Sequence, residues 1–216
     1  MSAAAPLDAA ALPDGFLQTI GATPQRLADV EAFAAMLGEA NARMNLVGAS
    51  TMDQFWSRHF LDSAQLLWFE PRAVAWADLG AGAGLPGIVL AILLKDRPGA
   101  KVHLVESVAK RCAFLARVVA VLGLPAQIHN ERAEILALDV EVVTARACAP
   151  LSRLLGFAAP TMAGGARGLF LKGQEVDSEV AQARKVWEFA AAAHPSLSDS
   201  RGRVLAVTEL ARVRRA

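Results

Sequence analysis

Apolar positions in the first third of the chain recur at helical spacing. Between residues 24 and 43, Leu27, Val30, Phe33, Ala34, Leu37 and Ala40 fall three or four apart, which lines one face of an amphipathic helix. Thr23 followed by Pro24 supplies an N-cap and a proline at the first helical position. A polar patch, Asn41 to Asn45, ends that helix, and a second helical stretch is expected over 51–68. From Ala73 the pattern changes to short apolar runs of strand type: Val74–Leu79, Val102–Val105, Ala126–His129, Val140–Ala145, Gly168–Leu171 and Val204–Glu209. Helical segments over 86–95, 108–122, 151–159 and 175–193 separate most of them. Strand and helix in alternation predict an α/β fold with a doubly wound, Rossmann-like sheet. No domain-sized linker interrupts the chain. The expected organisation is a helical cap over 1–70 joined to one compact α/β unit over 71–216.

Composition narrows the class. The chain is 54% hydrophobic with mean hydropathy +0.34, too apolar for a disordered protein. Its longest apolar window, Leu79 to Leu94, is too short and too rich in glycine to span a bilayer. The N-terminal stretch MSAAAPLDAA has no basic residue ahead of its apolar part, so it is a poor signal peptide. Cys112 and Cys148 are the only cysteines, too few for a disulfide framework and in keeping with a cytoplasmic protein. The four histidines, His59, His103, His129 and His194, lack metal-ligand spacing, and no metal is expected. Trp56, Trp68, Trp76 and Trp187 are expected to serve the core rather than to stack bases.

Net charge, +1, says little as a sum. Residues 1–78 carry nine acidic and four basic side chains, whereas the remainder carries twelve acidic and eighteen basic, ending in Arg212, Arg214 and Arg215. That asymmetry leaves room for a polyanionic partner on the C-terminal portion.

The stretch richest in chemistry is Asp78-Leu79-Gly80-Ala81-Gly82-Ala83-Gly84-Leu85-Pro86-Gly87, between the first strand and an apolar helix. Glycines at such a turn let the backbone approach a ligand closely, and the turn lies where open α/β sheets bind ligands. Two frames fit. Gly82-x-Gly84-x-x-Gly87 is a dinucleotide fingerprint and would make the chain an NAD(P)-binding oxidoreductase. Asp78-x-Gly80-x-Gly82-x-Gly84 places the acid at the strand end and resembles the first motif of class I S-adenosylmethionine methyltransferases. Glu106, closing the second strand, suits either frame, because one carboxylate can accept hydrogen bonds from both ribose hydroxyls.

Further ordered motifs extend the second frame: Asn45-Leu46-Val47, Arg58-His59-x-x-Asp62-Ser63, Glu106-Ser107-x-x-Lys110-Arg111, Glu131-Arg132-Ala133-Glu134, Arg146-Ala147 and Leu171-Lys172-Gly173. Together, over roughly residues 24–210, they resemble the RsmG (GidB) family of bacterial 16S rRNA guanine-N7 methyltransferases. The resemblance implies methyl transfer from S-adenosylmethionine to N7 of guanine 527 in the 530 loop of 16S rRNA, the rRNA of the 30S subunit. Nothing in the sequence demands a dimer, and a monomer is expected. It implies cofactor contacts at Gly80, Leu85, Ala133, Glu134 and Arg146, with Gly82, Gly84 and Glu106 added on the class-wide pattern. Val47 stands where the family often has Thr, and Ala145 where it often has Ser.

Guanine N7 carries a free in-plane lone pair, so no proton need leave before attack and no general base is assigned. Arg146 is the candidate for orienting cofactor or base; the alternative is an ion pair with Glu134 or Glu106. His59, Lys110, Arg111 and Lys172 are candidate RNA contacts, with Arg117 two turns beyond Lys110. For His59 the alternative is a structural polar cluster with Asp62 and Ser63, and for Lys172 an exposed strand end. Cys148 reads as a small core cysteine. A non-catalytic ribosome-associated protein of the same fold is the remaining alternative.

Overall fold

In a computed structural model the described residues are Asp8 and residues 12–213, so Arg214 and Arg215 lie outside them. After a single helical turn, α1 (Phe16–Thr19), the first long element is α2 (Pro24–Met44). Its start is the expected one, with the Thr23 hydroxyl accepting from the Arg26 N–H at 3.3 Å and Pro24 in the first turn. It ends where Asn45 turns left-handed, φ 49°.

The second expected helix is broken. A short α3 (Ala49–Met52) is followed by a π-helical turn over Phe55–Phe60 and then by α4 (Leu61–Phe69). The wider turn accommodates Phe55, His59 and Phe60 on the inside together, which a 3.6-residue period does not anticipate.

Next come β1 (Ala75–Leu79), α5 (Gly87–Leu94), β2 (Lys101–Val105), α6 (Ala109–Leu122) and β3 (Ala126–His129). A 3-10 turn at Ala133–Ile135 leads to β4 (Val142–Arg146), α7 (Leu151–Met162), β5 (Arg167–Lys172), α8 (Val176–Ala183), β6 (Trp187–Pro195) and β7 (Arg203–Arg212). The seven strands form one sheet in the order β3-β2-β1-β4-β5-β7-β6. β1 to β5 are parallel, and β7 runs antiparallel between β5 and β6. The order reverses between β1 and β4, which opens a crevice beyond their carboxyl ends.

The helix expected over 175–193 stops at Ala183, and residues 187–195 form β6. Alanine at 190–193 favours helix by propensity. Pairing decides otherwise: Ala190 to Pro195 register against Thr208 to Arg203 of β7, and Trp187 is buried with its indole N–H donating to the Ser152 carbonyl at 2.9 Å. Tertiary contact overrides a weak local preference.

Two apolar layers cover the sheet. On one face α5 is buried at every position, and α4, α6 and then α2 pack around it. On the other face α7 and α8 cover β4, β5 and β7. The inner parallel strands β1, β2, β4 and β5 are buried at nearly every residue, as expected for a sheet flanked by helices, whereas the edge strand β3 is only partly buried. Among the described residues no helix is long and apolar enough to cross a membrane.

Candidate functional site

The glycine turn leaves β1 at its carboxyl end, and its three glycines do different things. Gly80 is exposed with φ 72°, and a Cβ there would meet the Cys148 sulfur at 2.7 Å. Gly82 donates its N–H to Oε2 of Glu106 at 3.1 Å. Gly84 instead faces the core: a Cβ would sit 2.6 Å from Ile88 Cγ1 and 3.2 Å from Leu115 Cδ2. A pyrophosphate has no approach to Gly84, which removes the support for the dinucleotide frame. Leu85 is likewise 4% exposed and part of the core.

Glu106, at the end of β2, is fixed from two sides. Its Oε1 accepts the Val108 N–H at 2.8 Å, its Oε2 that of Gly82, and Arg111 stands 3.6 Å away on the first turn of α6. Each carboxylate oxygen keeps a second lone pair for a ligand hydroxyl. Asp78, at the end of β1, is fully buried. Its Oδ2 accepts the Gly87 N–H at 2.8 Å, while Oδ1 has no partner among the described residues. Burial pushes this carboxyl up to about 7, against the pull of that hydrogen bond.

These ends wall a cleft of about 160 Å³ lined by Gly80, Glu106, Ser107, Ala133, Glu134 and Cys148, among others. Of the expected cofactor residues, Gly80, Glu106, Ala133 and Glu134 therefore meet around one space. Gly82 reaches it through Glu106, whereas Gly84 and Leu85 shape the turn from below. Glu134 is partly drawn aside by Arg132 at 3.6 Å. Cys148 packs against the core as expected but is only half-buried: its sulfur also borders the cleft, with burial raising its thiol. The reason is geometric, since Ala147 takes a left-handed turn, φ 50°, directly after β4.

Arg146 is not in that cleft. It points into a second one, about 470 Å³, lined also by Leu46, Val47, His59, Asp62 and Lys172. Its Nη1 donates to Nδ1 of His59 at 3.0 Å and lies 3.4 Å from Oδ2 of Asp62. Burial works against the charge on Arg146, and Asp62 works to retain it. The alternative partners Glu134 and Glu106 are replaced by Asp62.

His59 is 4% exposed. Its Nε2 contacts the Thr51 hydroxyl at 2.9 Å, and burial with Arg146 beside it lowers its pKa to about 4. Near neutral pH it is therefore uncharged, with Nδ1 free to accept from Arg146. Lys172 is not the exposed strand end it resembles in sequence. It pairs with Glu179 at 2.6 Å and donates to the Ala149 carbonyl at 3.3 Å.

Sequence reasoning missed the far wall of this second cleft. Ser198 donates to Oδ1 of Asp62 at 2.8 Å, Asp199 pairs with Arg58 at 3.2 Å, and Gln65 contacts Ser196 at 3.0 Å. All three partners lie in the turn between β6 and β7, more than 130 positions from the helices they touch. With β6 read as helix, nothing placed that turn there.

Comparisons with known proteins bear on this geometry. Residues 26–205 match the model of the GidB family, described as rRNA small subunit methyltransferase G. A ribosomal RNA small subunit methyltransferase G of Caulobacter vibrioides (strain NA1000 / CB15N) is 58% identical over 208 residues, covering 96% of this chain and 94% of that one. A namesake from Bradyrhizobium sp. (strain ORS 278) is 46% identical, covering 82% of each chain. Among solved structures, the ribosomal protein L11 methylase of Lactobacillus delbrueckii subsp. bulgaricus superposes with TM-score 0.53 at 15% identity, over 74% of this chain and 79% of that one. A point mutant of MtNAS does so with TM-score 0.54 at 17% identity, over 85% and 73%. These two share the fold.

Proposed function

The chain belongs to the GidB family of small-subunit rRNA methyltransferases, and from that membership we propose that it moves a methyl group from S-adenosylmethionine to N7 of guanine 527 in the 530 loop of 16S rRNA. The observation that carries this reading is the pair of adjoining clefts at the carboxyl edge of the sheet. One is backed by the glycine turn and Glu106, the other by Arg146, and the segment Arg146-Ala147-Cys148 separates them.

The groups that line the first cleft suit the cofactor. Gly80 keeps the turn free of a side chain where Cys148 already crowds it, and Glu106 presents unused lone pairs where cis hydroxyls would bind. Ala133 and Glu134 close the other side. When bound, S-adenosylmethionine supplies a methyl group already activated by its positive sulfur.

The chain's own residues then have to orient rather than to move protons. N7 attacks with a lone pair it already has, and holding two reactants in line contributes up to about 7–11 kcal/mol. Arg146, braced by His59 and Asp62, is the residue we assign to orienting the base. His59 acts on it as a neutral acceptor and is a positioning residue. Among the RNA contacts we assign, Lys110 is exposed, whereas Arg111 and Lys172 act from their ion pairs with Glu106 and Glu179.

In this reading residues 1–70 are the cap that presents the RNA loop and residues 71–216 the cofactor-binding unit. The protein works as a cytoplasmic monomer without a metal. Incubating undermethylated 30S subunits with the protein and labelled S-adenosylmethionine, then mapping the rRNA by mass, tests it. Label at guanine 527 is expected, and label elsewhere or none would refute the assignment of the target.

A further inference from the structure

A third cleft, about 650 Å³, lies between α2 and α6, away from the two already described. Its floor is apolar, with Met36, Met44 and Phe114, and its rim carries Arg43, Lys110 and Arg117. All three cations are exposed. Among the described residues, none of them belongs to an ion pair. Glu39 is the one acidic side chain among the described residues of its wall.

Both walls of this groove run into the catalytic edge. The chain leaving α2 passes within a few residues to Leu46, Val47 and Gly48, which line the cleft of Arg146. The chain entering α6 comes directly from Glu106 and Ser107, which line the cleft of Gly80. One end of the groove therefore opens beside the place where the base and the methyl donor would meet.

We propose that this groove is a second RNA subsite, which holds single-stranded nucleotides flanking the target guanine. The proposal rests on the rRNA methyltransferase reading above. Unpaired cations at the rim neutralise phosphates. An apolar floor gives a flipped or unstacked base a face to lie on, the combination that single-stranded nucleic acid favours. A groove of this size admits a nucleotide, and the charge pattern selects a polyanion over an apolar peptide.

The test compares the triple variant Arg43→Gln/Lys110→Gln/Arg117→Gln with a control, Arg72→Gln/Lys101→Gln. The control removes exposed charge at the opposite, amino edge of the sheet. Binding to undermethylated 30S subunits is measured across a salt series, with methylation kinetics and S-adenosylmethionine calorimetry alongside. For wild type, log K falls with log salt. In the triple variant the slope is expected to be shallower by about 2, at about 0.7 for each single-strand phosphate left without its cation, and KM for the subunit about tenfold higher. The affinity for S-adenosylmethionine stays within about twofold in both variants. Each single variant is expected to lower the slope by about 0.7, which keeps the test if the triple variant folds poorly. An unchanged slope and KM in the groove variants, or an equal change in the control, overturns the proposal while leaving the enzyme's function standing. A raised KM with an unchanged slope points to a protein partner and also overturns it. Wild type that fails to methylate the subunit would remove the functional reading itself, and the subsite with it.

Discussion

Asp78→Asn isolates the cost of burying a carboxyl at the end of β1. Asp78 is fully buried with one oxygen unpartnered, and its pKa rises from 3.8 to about 7. A shift of that size, at about 1.36 kcal/mol per unit, means that the ionised form costs the fold about 4 kcal/mol. Because the folded pKa is raised, the contribution is most favourable below about pH 4 and is lost as pH climbs through about 7. Between about pH 5 and pH 8 the loss is about 3 kcal/mol. Asparagine stays neutral, and its Oδ1 can still accept from the Gly87 N–H. The stability of Asp78→Asn relative to wild type should therefore rise by about 3 kcal/mol over that interval, or about 1 M in urea midpoint. His59 and His103, both lowered to about 4, lose stability in the opposite direction as pH falls from the usual histidine range. They titrate in both proteins, so the difference cancels them. Urea unfolding of the two proteins at a series of pH values is the assay. Stability curves that stay parallel to within about 0.5 kcal/mol would refute the reasoning, since Asp78 would then be ionised at no cost or solvated by water that the packing excludes.

Gly80→Ala places a Cβ 2.7 Å from the Cys148 sulfur at a left-handed φ of 72°. Stability should fall by about 1–2 kcal/mol, affinity for S-adenosylmethionine should drop at least about tenfold by calorimetry, and Cys148→Ala should restore part of it. Undiminished affinity would take the turn off the ligand. His59→Ala removes the acceptor that braces Arg146, so kcat/KM for the subunit should fall at least about tenfold while the S-adenosylmethionine Kd hardly moves. His59→Asn should recover part of the loss if Oδ1 replaces Nδ1, and equal losses in the two variants would reduce His59 to a packing role.

Where local chemistry and burial agree, the chain can be read directly. Thr23 and Pro24 announce α2, and the apolar runs of β1, β2 and β4 need little interpretation because parallel strands are buried on both faces. The glycine turn and Glu106 are legible as neighbours at the carboxyl edge of the sheet, where they line one cleft, since the turn follows a strand and the acid closes the next one. Other features depend on partners distant in sequence. Trp187 to Pro195 is strand only because β7 offers it an edge, and alanines carry no signal of that kind. The π-helical turn hides in a segment that reads as ordinary helix. Arg146 stands out in the sequence as a candidate, but its partner Asp62 lies 84 positions away, and spacing alone points to Glu134 or Glu106. Lys172 looks like a free cation because Glu179, which holds it, sits in the next helix.

The bonds from the β6–β7 turn to the first helices have a kinetic meaning. Gln65 with Ser196, Asp62 with Ser198 and Arg58 with Asp199 close loops of 131 to 141 positions. Closing a loop is costly in entropy before any contact repays it, and long-range pairings of this sort form slowly. During synthesis the strands and helices around the glycine turn can assemble while residues 196–202 have yet to emerge. The wall that faces Arg146 arrives late. A nascent chain can therefore form the cleft of Gly80 and Glu106 well before the cleft of Arg146 is complete.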